Sequence, residues 1–305
     1  MADSSSFRSG RVAVVGRPNV GKSTLVNRLV GEKVAIVSEK PQTTRKRVLG
    51  VARLPGAEIA LVDTPGIHRP HFRMNAAMVR DATDALATAD VILWLVDASE
   101  RAGRGEAFLL ELIARAGTPA VLALNKIDLV EKERLLPMIA DLSTRHSFAA
   151  IVPVSAKTGD GVERLARALA ENLPEGEPAY PEDFLTSMPE TEWIAEVIRE
   201  KLLERTREEL PFASAVVIEA VKEDPEKDLT VVTASVVVER EGQKGIVVGR
   251  GGSMIRDIGT AAREELESQT GRRYFLELTV KVRPDWRNDE RFLSRLAMSP
   301  GSGTS

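Results

Sequence analysis

A glycine-bounded stretch near the start of the chain has the residue types and spacing of a phosphate-binding loop. It reads Gly16-Arg17-Pro18-Asn19-Val20-Gly21-Lys22-Ser23 and is followed by Thr24. An apolar run precedes it and residues typical of a helix start follow it, which is the context that such a loop requires. Its backbone N–H groups would surround a polyphosphate, with Lys22 on the outer phosphates and the Ser23 hydroxyl on Mg²⁺. The stretch therefore predicts a nucleoside-triphosphate site, rather than a glycine loop that only turns the chain.

Two later stretches complete the phosphate and metal part of this site. Asp63-Thr64-Pro65-Gly66 follows a predicted strand, so Asp63 would hold Mg²⁺ through water and the Gly66 N–H would face the terminal phosphate. The adjacent Thr43 and Thr44 lie in a polar loop, where one hydroxyl would complete the Mg²⁺ shell; we choose Thr44. We expect this loop to be ordered with the triphosphate and released after hydrolysis. The predicted catalytic group is Lys22, Thr44, Asp63 and Gly66.

The stretch Asn125-Lys126-Ile127-Asp128 predicts which base is bound. A carboxylate at Asp128 accepts two N–H bonds from guanine, and adenine cannot supply them, so the nucleotide is expected to be GTP or GDP. Ser155-Ala156-Lys157 follows the next predicted strand and would supply a backbone N–H to the guanine oxygen. In isolation this last stretch would be interpreted as a polar loop, and its position after the other motifs favours the nucleotide role.

The residue after Gly66 is Ile67, whose aliphatic side chain cannot hydrogen-bond the attacking water. Phosphoryl transfer to water needs a group that orients the water. We therefore predict slow intrinsic turnover, with the water oriented by backbone, by a second cation or by a partner.

The elements that must position these motifs alternate between strands and helices. This order predicts an α/β fold with a doubly wound sheet and its ligands at the carboxyl ends of the strands. A proline-rich acidic stretch marks the domain boundary. The predicted segments are a disordered extension over 1–10, a G domain over 11–173, a linker over 174–190, a second domain over 191–297 and a disordered tail over 298–305.

The second domain contains a glycine loop, Gly249-Arg250-Gly251-Gly252, before a predicted helix. Its predicted order of helix, strand, strand, helix, helix and strand is that of a type II KH domain, an α+β fold. Such a loop lets a single-stranded RNA backbone approach closely, and Lys244, Arg250 and Arg256 would lie beside the phosphates. The alternative, a glycine-rich helix connection, is common for this pattern alone.

A G domain with these motifs and the switch residues Pro41-Gln42-Thr43-Thr44-Arg45, followed by a KH domain, is similar to the Era family of bacterial GTPases. The resemblance covers Arg11 to Leu296. It implies hydrolysis of GTP to GDP and phosphate with Mg²⁺, binding of 16S rRNA near its 3′ end and a role in 30S ribosomal subunit assembly. It also implies peripheral association with the inner face of the cytoplasmic membrane. Related GTPases hold K⁺ with an asparagine in this loop, which makes Asn19 a candidate.

Composition excludes several other classes of protein. A 43% hydrophobic and 29% charged chain with a net charge of -3 is neither collagen-like nor strongly basic, and the absence of cysteine excludes disulfides and thiolate chemistry. We expect a cytoplasmic monomer without a secretion signal or membrane span. The alternative function is a GTP-dependent switch whose C-terminal domain docks a protein or the membrane surface. For Trp286 and Phe292, core or lid packing is favoured over RNA contact.

Overall fold

The computed structural model describes residues 6–40, 42–66, 72–100 and 104–296, which divide into two compact units. The first contains most of the chain up to Ser187, and the second contains the chain from Met188 onward. The predicted tail 298–305 and Ile67 lie outside the described residues.

The first unit is built on a six-stranded sheet with the order β2-β3-β1-β4-β5-β6. Only β2 runs antiparallel to its neighbour, because it forms a hairpin with β3; the other pairs are parallel. Buried apolar runs such as that of β4 are typical of strands covered on both faces. The strands are β1 (Arg8–Gly16), β2 (Val48–Leu54), β3 (Ala57–Asp63), β4 (Val91–Asp97), β5 (Ala120–Asn125) and β6 (Ala150–Pro153).

Among the described residues, five α-helices cover the two faces of this sheet, which confirms the doubly wound α/β prediction. One hydrophobic core includes Leu25 of α1 and Leu165 of α5, and the other includes side chains of α2, α3 and α4. Each loop that follows a parallel strand therefore opens at the carboxyl edge of the sheet, where ligands bind in this fold. The helices are α1 (Lys22–Val30), α2 (Arg73–Ala87), α3 (Arg104–Ala116), α4 (Leu135–Arg145) and α5 (Val162–Glu171).

The structure corrects two predicted features at the borders of this unit. Residues 8–10 belong to β1 rather than to a disordered extension, because Arg8 and Ser9 N–H groups donate to the Gly56 and Pro174 carbonyls. The predicted linker 174–190 does not run free of the domain. The Val51 N–H donates to the Leu185 carbonyl at 2.9 Å, so backbone hydrogen bonding ties this segment to β2.

The second unit is a three-stranded sheet in the order β7-β8-β9, with β7 and β8 antiparallel and β8 and β9 parallel. One apolar core joins the sheet to α6 and α9, and this arrangement confirms the predicted KH order. The elements are α6 (Glu190–Arg205), α7 (Leu210–Ala213), β7 (Ser214–Asp224), β8 (Leu229–Val238), α8 (Glu241–Val248), α9 (Ser253–Thr270), β9 (Arg273–Val282) and α10 (Glu290–Arg295).

Trp286 and Phe292 pack in the core of the second unit. Both are buried, their rings meet edge to face at 5.7 Å, and the Trp286 indole N–H donates to the Ala213 carbonyl. Their burial supports the packing interpretation of these two aromatic residues. Among the helices of the described residues, none is both long enough and apolar enough to cross a membrane.

Candidate functional site

The phosphate-binding loop connects the end of β1 to the start of α1, as its sequence predicts. Gly21 adopts φ 94°, and a Cβ atom there would lie 2.4 Å from the Asn125 side-chain nitrogen, so only glycine fits. The Lys22 ammonium donates to the backbone carbonyls of Gly16 and Arg17 at 3.3 and 3.1 Å. Burial lowers the pKa of Lys22 to about 8, and the nearby Asp63 carboxylate opposes this shift. The ammonium thus lies folded over the loop that would receive the phosphates.

Three oxygen-bearing side chains from separate segments meet beside Lys22. The Ser23 hydroxyl lies 2.8 Å from the Thr44 hydroxyl and donates to Asp63 Oδ2 at 2.7 Å, and Thr44 donates to the same oxygen at 3.2 Å. Burial raises the pKa of Asp63, while Lys22 and the two hydroxyls oppose the rise. The other carboxylate oxygen, Asp63 Oδ1, is buried and has no hydrogen-bond partner among the described residues.

This group fits a Mg²⁺ site. Mg²⁺ prefers oxygen ligands and keeps several of its waters, so an unpartnered carboxylate oxygen next to two hydroxyls is suited to accept a metal-bound water. Thr43 is placed differently, since its hydroxyl donates to the Lys40 carbonyl at 2.6 Å. The structure therefore brings Thr44, rather than Thr43, to Ser23 and Asp63.

The segment after β3 packs on the phosphate-binding loop. The Thr64 hydroxyl donates to the Val14 carbonyl of β1 at 2.8 Å, and Pro65 is buried. Gly66 lies so close to Pro18 that a Cβ atom would be 2.9 Å from the Pro18 nitrogen. Gly66 is therefore held where its backbone can face a phosphate bound in the loop.

The two base-recognition stretches form one hydrogen-bonded unit. The Asn125 side chain donates to the Val20 carbonyl at 2.7 Å and accepts the Ala156 N–H at 2.9 Å, so it joins both stretches to the phosphate-binding loop. The Ser155 hydroxyl donates to Asp128 Oδ1 at 2.6 Å. Asp128 is exposed, so its carboxylate remains accessible to a ligand beside this hydrogen bond.

We expect Asn125→Ala to lower the stability of the nucleotide-free protein by about 2–3 kcal/mol, because it leaves a buried carbonyl and a buried N–H unpaired. Asn172→Ala is the matched control: its half-buried side chain makes one hydrogen bond, to the Ala168 carbonyl at 2.8 Å, so the loss should be below about 1 kcal/mol. Urea unfolding monitored by circular dichroism measures both. Equal losses would contradict the joining role of Asn125.

The glycine loop of the second unit lies between α8 and α9. Gly249 has φ 72°, and a Cβ atom there would be 2.7 Å from the Met254 backbone nitrogen, so this position requires glycine. Gly251 and Gly252 also have positive φ, with open space around them. The N-terminus of the 18-residue α9 begins immediately after the loop. Bare backbone and a helix N-terminus together favour a bound phosphate backbone.

Cations surround this loop. In the portion of the chain that the structure describes, Lys244, Arg250 and Arg256 make no ion pair, and the two arginines are exposed. Arg263, further along α9, differs from them because it forms an ion pair with Glu267 at 3.0 Å. The three predicted RNA-binding cations are therefore available to phosphates.

Comparison with known proteins identifies the family. A family model described as "50S ribosome-binding GTPase" matches residues 11–126, and a KH-domain model matches residues 209–287. GTPase Era of Geobacter metallireducens is 47% identical over 290 residues, which is 95% of this chain and 97% of the relative. The chain belongs to the Era family of GTPases. The Era protein of Geotalea uraniireducens is 48% identical over 287 residues, 94% of this chain and 96% of the relative.

Solved Era structures extend the likeness to the whole fold. An Aquifex aeolicus Era variant bound to GDP and AlF4⁻ has a TM-score of 0.93 and 40% identity, covering 96% of this chain and 100% of its own. The same values hold for Era in complex with MgGDPNP and nucleotides 1506–1542 of 16S ribosomal RNA.

Within this Era-family chain, the structure also shows site residues that sequence reasoning missed. Arg28 of α1 donates to the Lys157 carbonyl at 2.6 Å and thereby fixes the second base-recognition stretch. In the second unit, a groove of about 470 Å³ continues from the glycine loop between α9 and β9 and includes Phe275, which is 55% exposed. Gly259 keeps this groove open, since its Cβ would lie 3.3 Å from Leu278. A glycine inside a predicted helix was the available signal.

Proposed function

We propose that this protein binds and hydrolyses GTP and binds 16S rRNA near its 3′ end through its KH domain, in the assembly of the 30S ribosomal subunit. The observation that carries this proposal is the likeness over 96% of the chain to an Era structure that holds MgGDPNP and a 16S rRNA segment. The matching family model is described as a 50S ribosome-binding GTPase, whereas the RNA bound in that Era complex is 16S rRNA, which belongs to the small subunit. We therefore propose the small subunit as the partner.

The proposed hydrolysis depends on positioning and charge. Mg²⁺, when bound, neutralises charge on the outer phosphates; Ser23 and Thr44 would hold it directly and Asp63 through water. The Lys22 ammonium turns from the loop carbonyls to the phosphates, and the Gly66 N–H donates to the terminal phosphate. Because Thr44 lies in the switch loop, its contact with the metal would couple loop order to the presence of the terminal phosphate.

Potassium is the proposed second cation, held by Asn19. This residue is exposed in the phosphate-binding loop and has φ 64°, and a second cation would compensate for an aliphatic residue, Ile67, at the sequence position after Gly66. We expect GTP turnover at saturating Mg²⁺ to be about tenfold faster in KCl than in NaCl at equal ionic strength, since charge stabilisation at transferring phosphates has effects of this order or larger. Asn19→Ala should remove the difference and retain GDP binding. Equal wild-type rates in the two salts would contradict the potassium site.

The proposed RNA site consists of the glycine loop and the groove beside it. The RNA backbone would lie on the loop and the N-terminus of α9, with Lys244, Arg250 and Arg256 at the phosphates. Its bases would enter the apolar groove past Gly259, where the exposed Phe275 ring offers a stacking surface. This arrangement favours RNA over the alternative, docking of a protein or a membrane surface.

Fluorescence anisotropy of the full chain tests the proposal. A labelled RNA with the 3′ end sequence of 16S rRNA should bind with higher affinity than an RNA of the same composition in reversed order, when Mg²⁺ and a non-hydrolysable GTP analogue are present. Equal and weak binding of both RNAs would support the docking alternative. Peripheral contact with the cytoplasmic membrane, implied by the family resemblance, stays a prediction that sedimentation with anionic lipid vesicles would test.

A further inference from the structure

A buried carboxylate outside the recognised motifs contacts the base-recognition loop. Asp97 is the last residue of β4, stands opposite Asn125 in the sheet register, and is 5% exposed. Its Oδ2 lies 2.6 Å from the Lys126 ammonium. Its Oδ1 accepts the Ser99 N–H at 2.9 Å and the Ser99 hydroxyl at 2.6 Å. Both carboxylate oxygens are thus engaged, and the carboxylate holds the end of the Lys126 side chain in place.

The backbone around Lys126 is equally constrained. Lys126 has φ 65°, a left-handed conformation that is uncommon outside glycine. The Ala98 N–H, next to Asp97, donates to the Asn125 carbonyl at 2.9 Å, and the Leu129 N–H donates to the Lys126 carbonyl at 3.0 Å. Both ends of the Lys126 side chain are therefore fixed, which leaves its alkyl stem spanning from the base-recognition loop to the end of β4.

The phosphate-binding loop is tied to the same part of the chain. The Arg17 guanidinium donates to Glu106 of α3 at 2.7 Å and lies 3.3 Å from Glu100, and the Glu106 hydrogen bond raises the pKa of Arg17. Arg17 and Lys126, the cations beside the two nucleotide loops, are thus each neutralised by carboxylates that follow or end β4. These ion pairs hold both side chains in defined positions beside the nucleotide loops.

We infer that Asp97 is a positioning residue for the nucleotide: it fixes the alkyl stem of Lys126 as a wall of the guanine slot beside Asp128. The inference rests on the proposed guanine site. A lysine side chain has a large conformational entropy, and a stem that is already ordered gives up little of it when a ring binds against it. Asp97 should therefore affect nucleotide affinity and have little effect on the turnover of bound GTP.

The test measures GDP affinity and GTP turnover of the full chain separately. Asp97→Asn should weaken binding of a fluorescent GDP analogue about tenfold and leave kcat at saturating GTP unchanged. Asp90→Asn is the matched control, because Asp90 accepts the Arg11 N–H at 2.7 Å at the opposite end of β4. It should leave GDP affinity unchanged. An unchanged affinity in Asp97→Asn, or a loss of kcat with unchanged affinity, would overturn the inference.

Lys126→Met separates positioning from a structural role of Asp97, since methionine keeps an unbranched apolar stem without the ammonium. In the Lys126→Met background, Asp97→Asn should have almost no further effect on GDP affinity. A loss of the same size in both backgrounds would mean that Asp97 acts through the sheet and not through Lys126, and would overturn the inference. Wild-type GDP binding, measured first, tests the guanine site independently.

Discussion

Substituting Asp128 by asparagine is expected to change the base preference of the protein from guanine to xanthine. The two carboxylate oxygens of Asp128 would accept the N1–H and an N2–H of guanine, one each, and asparagine keeps one acceptor but places an N–H donor where the other oxygen was. Xanthine has a carbonyl in place of the guanine amino group, and it can accept from that donor. Charge-assisted hydrogen bonds contribute about 1.5–3 kcal/mol each, so the loss of GTP affinity should be about a hundredfold.

Competition binding with GDP and xanthosine diphosphate measures this change. Asp160→Asn is a suitable control because Asp160 is another exposed carboxylate of the adjacent loop. It should retain the preference for GDP. Unchanged GDP affinity in Asp128→Asn would contradict the assignment of Asp128 to the base, and with it the choice of GTP over ATP.

Reversing the charge of the glycine loop is expected to abolish RNA binding without unfolding the domain. Arg250→Asp combined with Gly251→Asp places two carboxylates against the RNA phosphates, and we expect a loss of affinity of at least about a hundredfold. The Gly251 position accommodates aspartate at a small backbone cost, because aspartate enters the left-handed region more readily than most residues and nothing lies within 4 Å of a Cβ there. Circular dichroism should therefore show an unchanged fold.

The neutral pair Arg250→Gln and Gly251→Asn is the control for shape. Glutamine is closer in size to arginine than alanine is, and asparagine has the same size as the aspartate of the charge-reversed variant. Neither side chain adds a negative charge. This variant should lose only the contribution of one cation to RNA affinity. If the charge-reversed protein still bound the 16S rRNA segment by anisotropy, the loop would not be part of the RNA interface.

The sequence predicts best what depends on local pattern. The glycine loops, the strand ends that carry Asp63 and Asn125, and the helix-strand order of both units follow from residue spacing and apolar periodicity, and the structure has them in place. The choice of Thr44 over Thr43 could not be derived from sequence spacing, because both occupy the same loop. The distinction appears only when Thr44 is brought to Ser23 and Asp63 by folding.

Contacts between segments that are distant in the chain could not be predicted from the sequence. The contacts of Asp97 with Lys126 and of Arg28 with Lys157 join residues that no local pattern relates. The same reason explains the misplaced borders. The acidic, proline-rich composition of 174–190 predicts an extended chain, and an extended chain is also what backbone hydrogen bonding to a sheet edge needs. Composition alone does not distinguish the two.

Crosslinking the full protein to total cellular RNA, with GTP or GDP present, tests the central claim most directly. The account predicts that the crosslinks map near the 3′ end of 16S rRNA, that they fall on the glycine loop and the groove between α9 and β9, and that their yield differs between the two nucleotides. Crosslinks scattered over unrelated RNAs, with equal yield in GTP and GDP, would contradict a GTPase whose cycle acts on ribosomal RNA.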